Sequence, residues 1–167
     1  MKEQGCPGSE LLEQYACDIL ASRGMQSQKT FLQHGEVSCY DHSVAVALLS
    51  VRLAGFLRVR TDRRSLIRGA LLHDYYLYDW HVADKNHRLH GFIHARRALG
   101  NAERDFRLSA IERDIISKHM FPLNPRPPCY KESYIVMTAD RLCTVRELLS
   151  STWRRMAKTR KNDNNGL

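Results

Sequence analysis

Apolar residues recur at helical spacing through most of the chain. Leu11, Leu12, Tyr15, Ile19 and Leu20 form a first stripe from Ser9, and Gly24 is placed to stop it. Residues 24–40 are polar, contain Gly35, and predict a connection with at most a short helical turn. DHSVAVALLSVRLAGFL is apolar on most faces up to Gly55, the pattern of a central helix, with Asp41 as its expected N-cap. Asp62 is placed to cap the next helix, DRRSLIRGALLHDYY, in which Leu66, Ile67, Ala70 and Leu71 face a core. LYDWHVADKNHR is dense in polar and aromatic groups and predicts a loop, after which HGFIHARRALGNA is helical until Gly100 and Asn101. Ser109 and Glu112 have the spacing of a capping box before IERDIISKHM, and the prolines of PLNPRPP end that helix. From about Lys131 the apolar positions Ile135, Val136, Ala139, Leu142, Val145 and Leu148 predict the last strong helix. No pair of alternating runs joined by a hairpin turn is visible. The expected architecture is therefore an all-α bundle over residues 9–150. A frayed segment 1–8 precedes it, and a basic extension over 151–167 starts helical and ends disordered.

Composition narrows the partners more than the fold. The chain has 167 residues, of which 43% are hydrophobic and 26% charged, ordinary proportions for one globular domain with a real core. Lys and Arg exceed Asp and Glu by 26 to 18, a formal charge of +8 that attracts anions of every kind. Nucleic acid gains no support, since there is no recognisable RNA-binding motif or platform of interleaved aromatic and basic residues. No apolar run has the length of a membrane span or a signal peptide. The five cysteines, Cys6, Cys17, Cys39, Cys129 and Cys143, are odd in number and scattered without a C-x-x-C pair. Free thiols in a reducing cytoplasm are expected, not a disulfide framework.

Eight histidines are many for this length, and their placement carries chemistry. His42 opens the central helix, and His73 with Asp74 ends the next. His90 begins the helix after the loop, His119 ends the one before the prolines, and Asp140 sits midway along the last. Imidazoles and carboxylates at helix ends and on a buried helix face are what a bundle-core metal site needs. That mixture suits Mn, Fe, Co, Ni or Zn better than calcium. An adjacent His-Asp pair can serve two ions, and two ions can hold a hydroxide while polarising a phosphoryl oxygen.

The ordered set resembles the HD-domain superfamily of metal-dependent phosphohydrolases. YDHSVAVALLS is similar to that family's first helix, GALLHDYY to its A-L-L-H-D signature, and IVMTADRL to its final A-D helix. His90 in LHGFIHARRAL and His119 in ISKHMFP resemble the two extra histidines of its dimetal members. The resemblance implies one divalent ion on His42, His73, Asp74 and Asp140, and a second that shares Asp74 and adds His90 and His119. His73 and Asp74 would then form the catalytic centre, with a metal-bound hydroxide as nucleophile. His94, one helical turn after His90, competes for the same role. The family pattern H-x-x-x-G/A-A-x-x-L favours His90, because it puts His94 at the small-residue position.

The implied activity is hydrolysis of a phosphomonoester or phosphoanhydride of a nucleotide or small phosphorylated metabolite. The alternatives are a phosphodiesterase acting on cyclic nucleotide or nucleic acid, and a non-catalytic module that senses nucleotide. Sensing stays open because many members carry Lys or Glu three residues after the Asp of the pair, where this chain has Leu77. Asp79 or His81 is in range to replace that charge; a turn-capping Asp79 and a solvated His81 are the plainer readings. Arg96, Arg97, Lys118, Arg126, Lys131 and Arg141 are available to phosphate; the candidate substrate contacts are Lys118, Arg141 and Asp79, with Arg141 best placed beside Asp140. Tyr75, Tyr76, Tyr78 and Trp80 serve either as core or as a wall for a nucleobase.

Overall fold

The computed structural model describes residues 9–34, 36–77 and 90–164, with side chains over 10–33, 36–77 and 94–153. The segment 1–8 and the candidate Asp79 lie outside the described residues, as do His81, Tyr78 and Trp80. Helices dominate: α1 (Ser9–Ala21), α2 (Arg23–Ser27), α3 (Cys39–Phe56), α4 (Arg63–Leu72), α5 (His90–Asp105), α6 (Ala110–Lys118) and α7 (Lys131–Asn164). A 3-10 turn at Gln28–Thr30 and two short strands, β1 (Leu32–His34) and β2 (Val37–Ser38), lie between α2 and α3.

Caps made by near neighbours form as the local chemistry predicts. Asp62 accepts from the Arg64 amide (3.2 Å) and the Ser65 hydroxyl (2.6 Å) at the start of α4. Ser109 and Glu112 make both halves of a capping box at the start of α6.

Four local expectations change. Ser22, not Gly24, separates α1 from α2, because its hydroxyl caps α2 by accepting from the Met25 amide. Gly24 lies inside α2, where a Cβ would fall on the Tyr75 hydroxyl; it permits a close approach. Ser38 caps α3 in place of Asp41: it accepts from the Asp41 amide (3.1 Å) and donates to its carboxylate (2.6 Å). Helix α5 runs through Gly100 and Asn101 to Asp105, since Ala98 and Ala102 on either side are fully buried. The antiparallel pairing of β1 with β2 was also unexpected; two irregular strands of three and two residues are too short to show alternation.

Helix α4 is the core of the bundle, with every residue from Ser65 to Leu72 buried. It packs against α1, α3 and α6, while α3 packs on α7. Leu66, Ile67, Leu71 and Leu72 meet Ile115, Ile116, Val46 and Val136 in one apolar cluster. Burial of side chains this size contributes roughly 1.5–3 kcal/mol each. Helices α4 and α6 touch closely at Gly69, where a Cβ would sit 2.5 Å from Ile115 Cδ1. Arg68, only 2% exposed, donates to Glu112 on α6 (3.2 Å) and Asp18 on α1 (2.6 Å), so α4 is tied to both neighbours by charge as well. Helix α7 continues through the basic segment to Asn164. The effect of this packing is to bring the N-terminal end of α3, the C-terminal ends of α4 and α6, and the middle of α7 to one place.

Candidate metal centre

Six buried or nearly buried side chains converge there in two groups. One comprises His42, His73 and Asp140; the other comprises Asp74, His94 and His119. In each group the ligand atoms lie within 4.8 Å of one another.

The imidazoles are held so that the same ring nitrogen points inward. His73 Nδ1 donates to the Ala70 carbonyl (2.7 Å) and His119 Nδ1 to the Ile116 carbonyl (2.9 Å), each one turn back at a helix C-terminus. His42 Nδ1 donates to the Glu147 carboxylate (3.0 and 3.1 Å). Each ring then faces the centre with Nε2, the arrangement in which an outer acceptor fixes tautomer and orientation for a metal ligand. His42 Nε2 meets Asp140 Oδ1 at 3.1 Å, and His94 Nε2 meets His119 Nε2 at 3.0 Å.

Asp74 stands between the groups. Its Oδ1 is 3.4 Å from His119 Nε2 and 3.5 Å from His94 Nε2. Its Oδ2 is 3.4 Å from His73 Nε2 and accepts a 2.5 Å hydrogen bond from Gln33 Nε2. Asp74 Oδ1 and His73 Nε2 are both buried without a hydrogen bond of acceptable geometry. Orphaned polar atoms at full burial are costly. A cation in each group would satisfy one of these atoms, so the residues fit divalent ions.

The electrostatics of the apo cluster agree. Burial disfavours the charged form of His42, but Asp140 and Glu147 outweigh it and raise its pKa to about 9. His73 is also raised well above its ordinary value: burial opposes this, and Asp74 and Asp140 prevail. Burial pushes the Asp74 carboxyl up, yet His73 and His119 hold it well below the usual carboxylate range. Asp140 is lowered likewise, with His42 and His73 overcoming its burial. Protons thus occupy the places that cations suit.

An HD domain family model matches residues 39–145, the span from the first turn of α3 to the middle of α7. The chain belongs to the HD-domain family. HD domains bind divalent metals and are generally metal-dependent hydrolases. No curated protein and no solved structure matches this HD domain chain.

Of the residues singled out in the sequence, His42, His73, Asp74, His119 and Asp140 come together in this HD domain. His90 is the first residue of α5, and its side chain lies outside the described residues; His94, the competing choice, is the α5 histidine found with Asp74 and His119. Lys118 is paired with Asp114 (2.5 Å) and Cys129 Sγ (2.9 Å), and Arg141 donates to the Phe121 carbonyl. Both basic groups are therefore engaged where α6 and α7 adjoin. Tyr75 and Tyr76 are buried, with hydroxyls bonded to Asp105 (3.1 Å) and Gln33 respectively. Leu77, three residues after Asp74, has a positive φ of 56°, in the left-handed region.

Three supporting residues escaped the sequence reading. Glu147 holds His42; it lies seven residues after Asp140, two helical turns along the same face, and that spacing was a usable signal. Gln33 holds Asp74 and accepts from Tyr76, a role with no local signature. Asn101 donates to the Tyr75 and Tyr76 carbonyls (3.1 and 3.0 Å) and so fixes the turn that follows the His-Asp pair.

Proposed function

We propose that this HD domain hydrolyses a phosphomonoester or phosphoanhydride of a nucleotide or small phosphorylated metabolite. The observation that carries the reading is Asp74, whose two oxygens face two separate histidine groups and whose Oδ1 has no hydrogen-bond partner. One ion would sit with His42, His73 and Asp140, and a second with His94 and His119, Asp74 reaching both. Manganese, iron, cobalt, nickel or zinc suits this donor set. Bound ions of this kind lower the pKa of water and polarise a phosphoryl oxygen. The chain itself turns Nε2 of His42, His73 and His119 toward the centre by anchoring Nδ1, and Gln33 holds Asp74 through Oδ2. The net charge of +8 favours an anionic substrate. Four free cysteines among the described residues suit the reducing cytoplasm we propose as its setting.

The test is metal analysis with turnover. Protein loaded with Mn or Fe should release phosphate from members of a nucleotide and phosphomonoester panel, and Asp74→Ala should lose both metal and activity. Retention of both by Asp74→Ala would remove the assigned centre. Leu77, an uncharged residue where many members carry Lys or Glu, favours a second reading as a nucleotide sensor. Metal and nucleotide binding without turnover would establish it. A 5′-phosphate product from a dinucleotide without free phosphate would make the domain a diesterase.

A further inference from the structure

At the opposite end of the α3–α4 hairpin from the metal centre lies a cavity of about 490 Å³. Three arginines, Arg58, Arg60 and Arg63, line it together with Val51, Val59 and Leu66. No acidic side chain lines it. Among the described residues, none of the three guanidinium groups has a hydrogen bond or ion pair. Asp62, between them in sequence, directs its carboxylate to Arg64 N and Ser65 instead. The volume lies within the range of small-molecule sites.

Two residues at this cavity run against what the local fold prefers. Helix α3 ends in a Schellman motif: the Arg58 amide bonds to the Gly55 carbonyl (3.1 Å) and the Val59 amide to the Ala54 carbonyl (3.0 Å). The residue at the left-handed position of this motif is usually glycine, yet here it is Arg58, with φ 54°. The reverse occurs one turn earlier. Gly55 sits inside the last turn of α3, where alanine is the better helix former, and a Cβ there would meet nothing within 4 Å. No packing contact requires the glycine, and its place on the cavity wall leaves that volume open. Strain and forgone helix propensity at one cavity are the pattern of a binding site.

We propose that this cavity is a second binding site, distinct from the metal centre, for a small organic phosphate of the nucleotide class. Planar guanidinium forks match phosphate oxygens in pairs, and three of them suit more than one negative charge. The apolar wall accepts the base or another carbon-rich part. Counted along α3, Val51 to Gly55 stand nine to thirteen residues from His42, roughly 14–20 Å at 1.5 Å per residue. The inference does not depend on the hydrolytic reading of the metal centre.

The test is calorimetric titration of the full chain, in its metal-loaded form, with a non-hydrolysable ATP analogue and with tripolyphosphate. Asp74→Ala should keep the binding event. Arg58→Gly should weaken it about tenfold, the usual loss for one charge-assisted pair, while Tm stays level or rises. Gly55→Leu should also weaken binding without lowering Tm. Arg107→Ser, which removes an exposed charge elsewhere, should change affinity less than twofold. Four results would each overturn the proposal: no binding in Asp74→Ala, unchanged affinity in both cavity variants, an equal loss in Arg107→Ser, or binding through Arg58 to anionic lipid vesicles but not to the nucleotide analogue.

Discussion

The apo metal centre should make the stability of this HD domain fall as pH rises through the neutral range, against the usual trend for carboxylate-rich sites. The perturbation is removal of metal with a chelator, followed by titration. His42 is raised from its ordinary 6.5 to about 9 by Asp140 and Glu147, against its burial. A group bound to its proton more tightly in the folded state stabilises that state fully below pH 6.5, and the contribution is lost as pH climbs past 9. At 1.36 kcal/mol per pH unit, this window corresponds to about 3 kcal/mol from His42 alone. His73 is raised too and acts in the same direction. Asp74 and Asp140 are lowered, so their contribution is present above the ordinary carboxylate pKa and is lost only in acid, outside this window. The assay is urea unfolding of the stripped protein at pH 6.5 and pH 9, followed by circular dichroism, with the metal-loaded protein beside it. Metal takes the place of the His42 proton, so the loaded protein should lack this slope and should release protons on uptake at neutral pH. Glu147→Gln removes one of the two carboxylates that hold the proton and should flatten the slope of the stripped protein. Equal stability of the stripped protein at both pH values, or greater stability at pH 9, would refute the assignment of His42 as the proton-holding ligand.

Three further outcomes follow from named contacts. Gln33→Leu keeps the bulk but deletes the 2.5 Å hydrogen bond to Asp74 Oδ2; metal affinity, read by chelator competition, should fall about 10–100-fold, and an unchanged value would show that Gln33 does not position the carboxylate. Gly69→Ala drives a methyl into Ile115 between α4 and α6, at a cost of about 1–3 kcal/mol in urea unfolding; a neutral result would mean that the helices part easily. Gly100→Ala, on an exposed position of α5 where a Cβ meets nothing, should instead stabilise by up to about 1 kcal/mol, and a loss there would point to an unseen constraint on that helix.

Much of the architecture was legible because its causes are local. Asp62 and the Ser109–Glu112 pair cap helices through atoms no more than three residues away, and the prolines after His119 stop α6 by their own geometry. Where expectation missed, a competing local partner or a distant one decided. Ser38 displaced Asp41 as cap because each answers the other, and Gly24 answers to Tyr75, about fifty residues away in sequence.

The metal centre divides along the same line. The His73-Asp74 pair, His42 and Asp140 could be named from residue type, order and helical context, since imidazole and carboxylate at helix ends already limit the chemistry. Their supports were less legible. Glu147 reaches His42 across 105 residues, with its two-turn spacing from Asp140 as the one local signal, and Gln33 reaches Asp74 across 41 with none. Between His90 and His94, one turn apart on α5, periodicity cannot choose; only the packing of α5 on α6 brings His94 Nε2 to His119. The sequence by itself thus determined the helices, their polarity and the ligand chemistry, which depend on neighbours within a turn. Tertiary structure alone decided which ring nitrogens converge, which atoms are left without partners, and which arginines line the cavity at the far end of the α3–α4 hairpin, because those depend on how the helices are stacked.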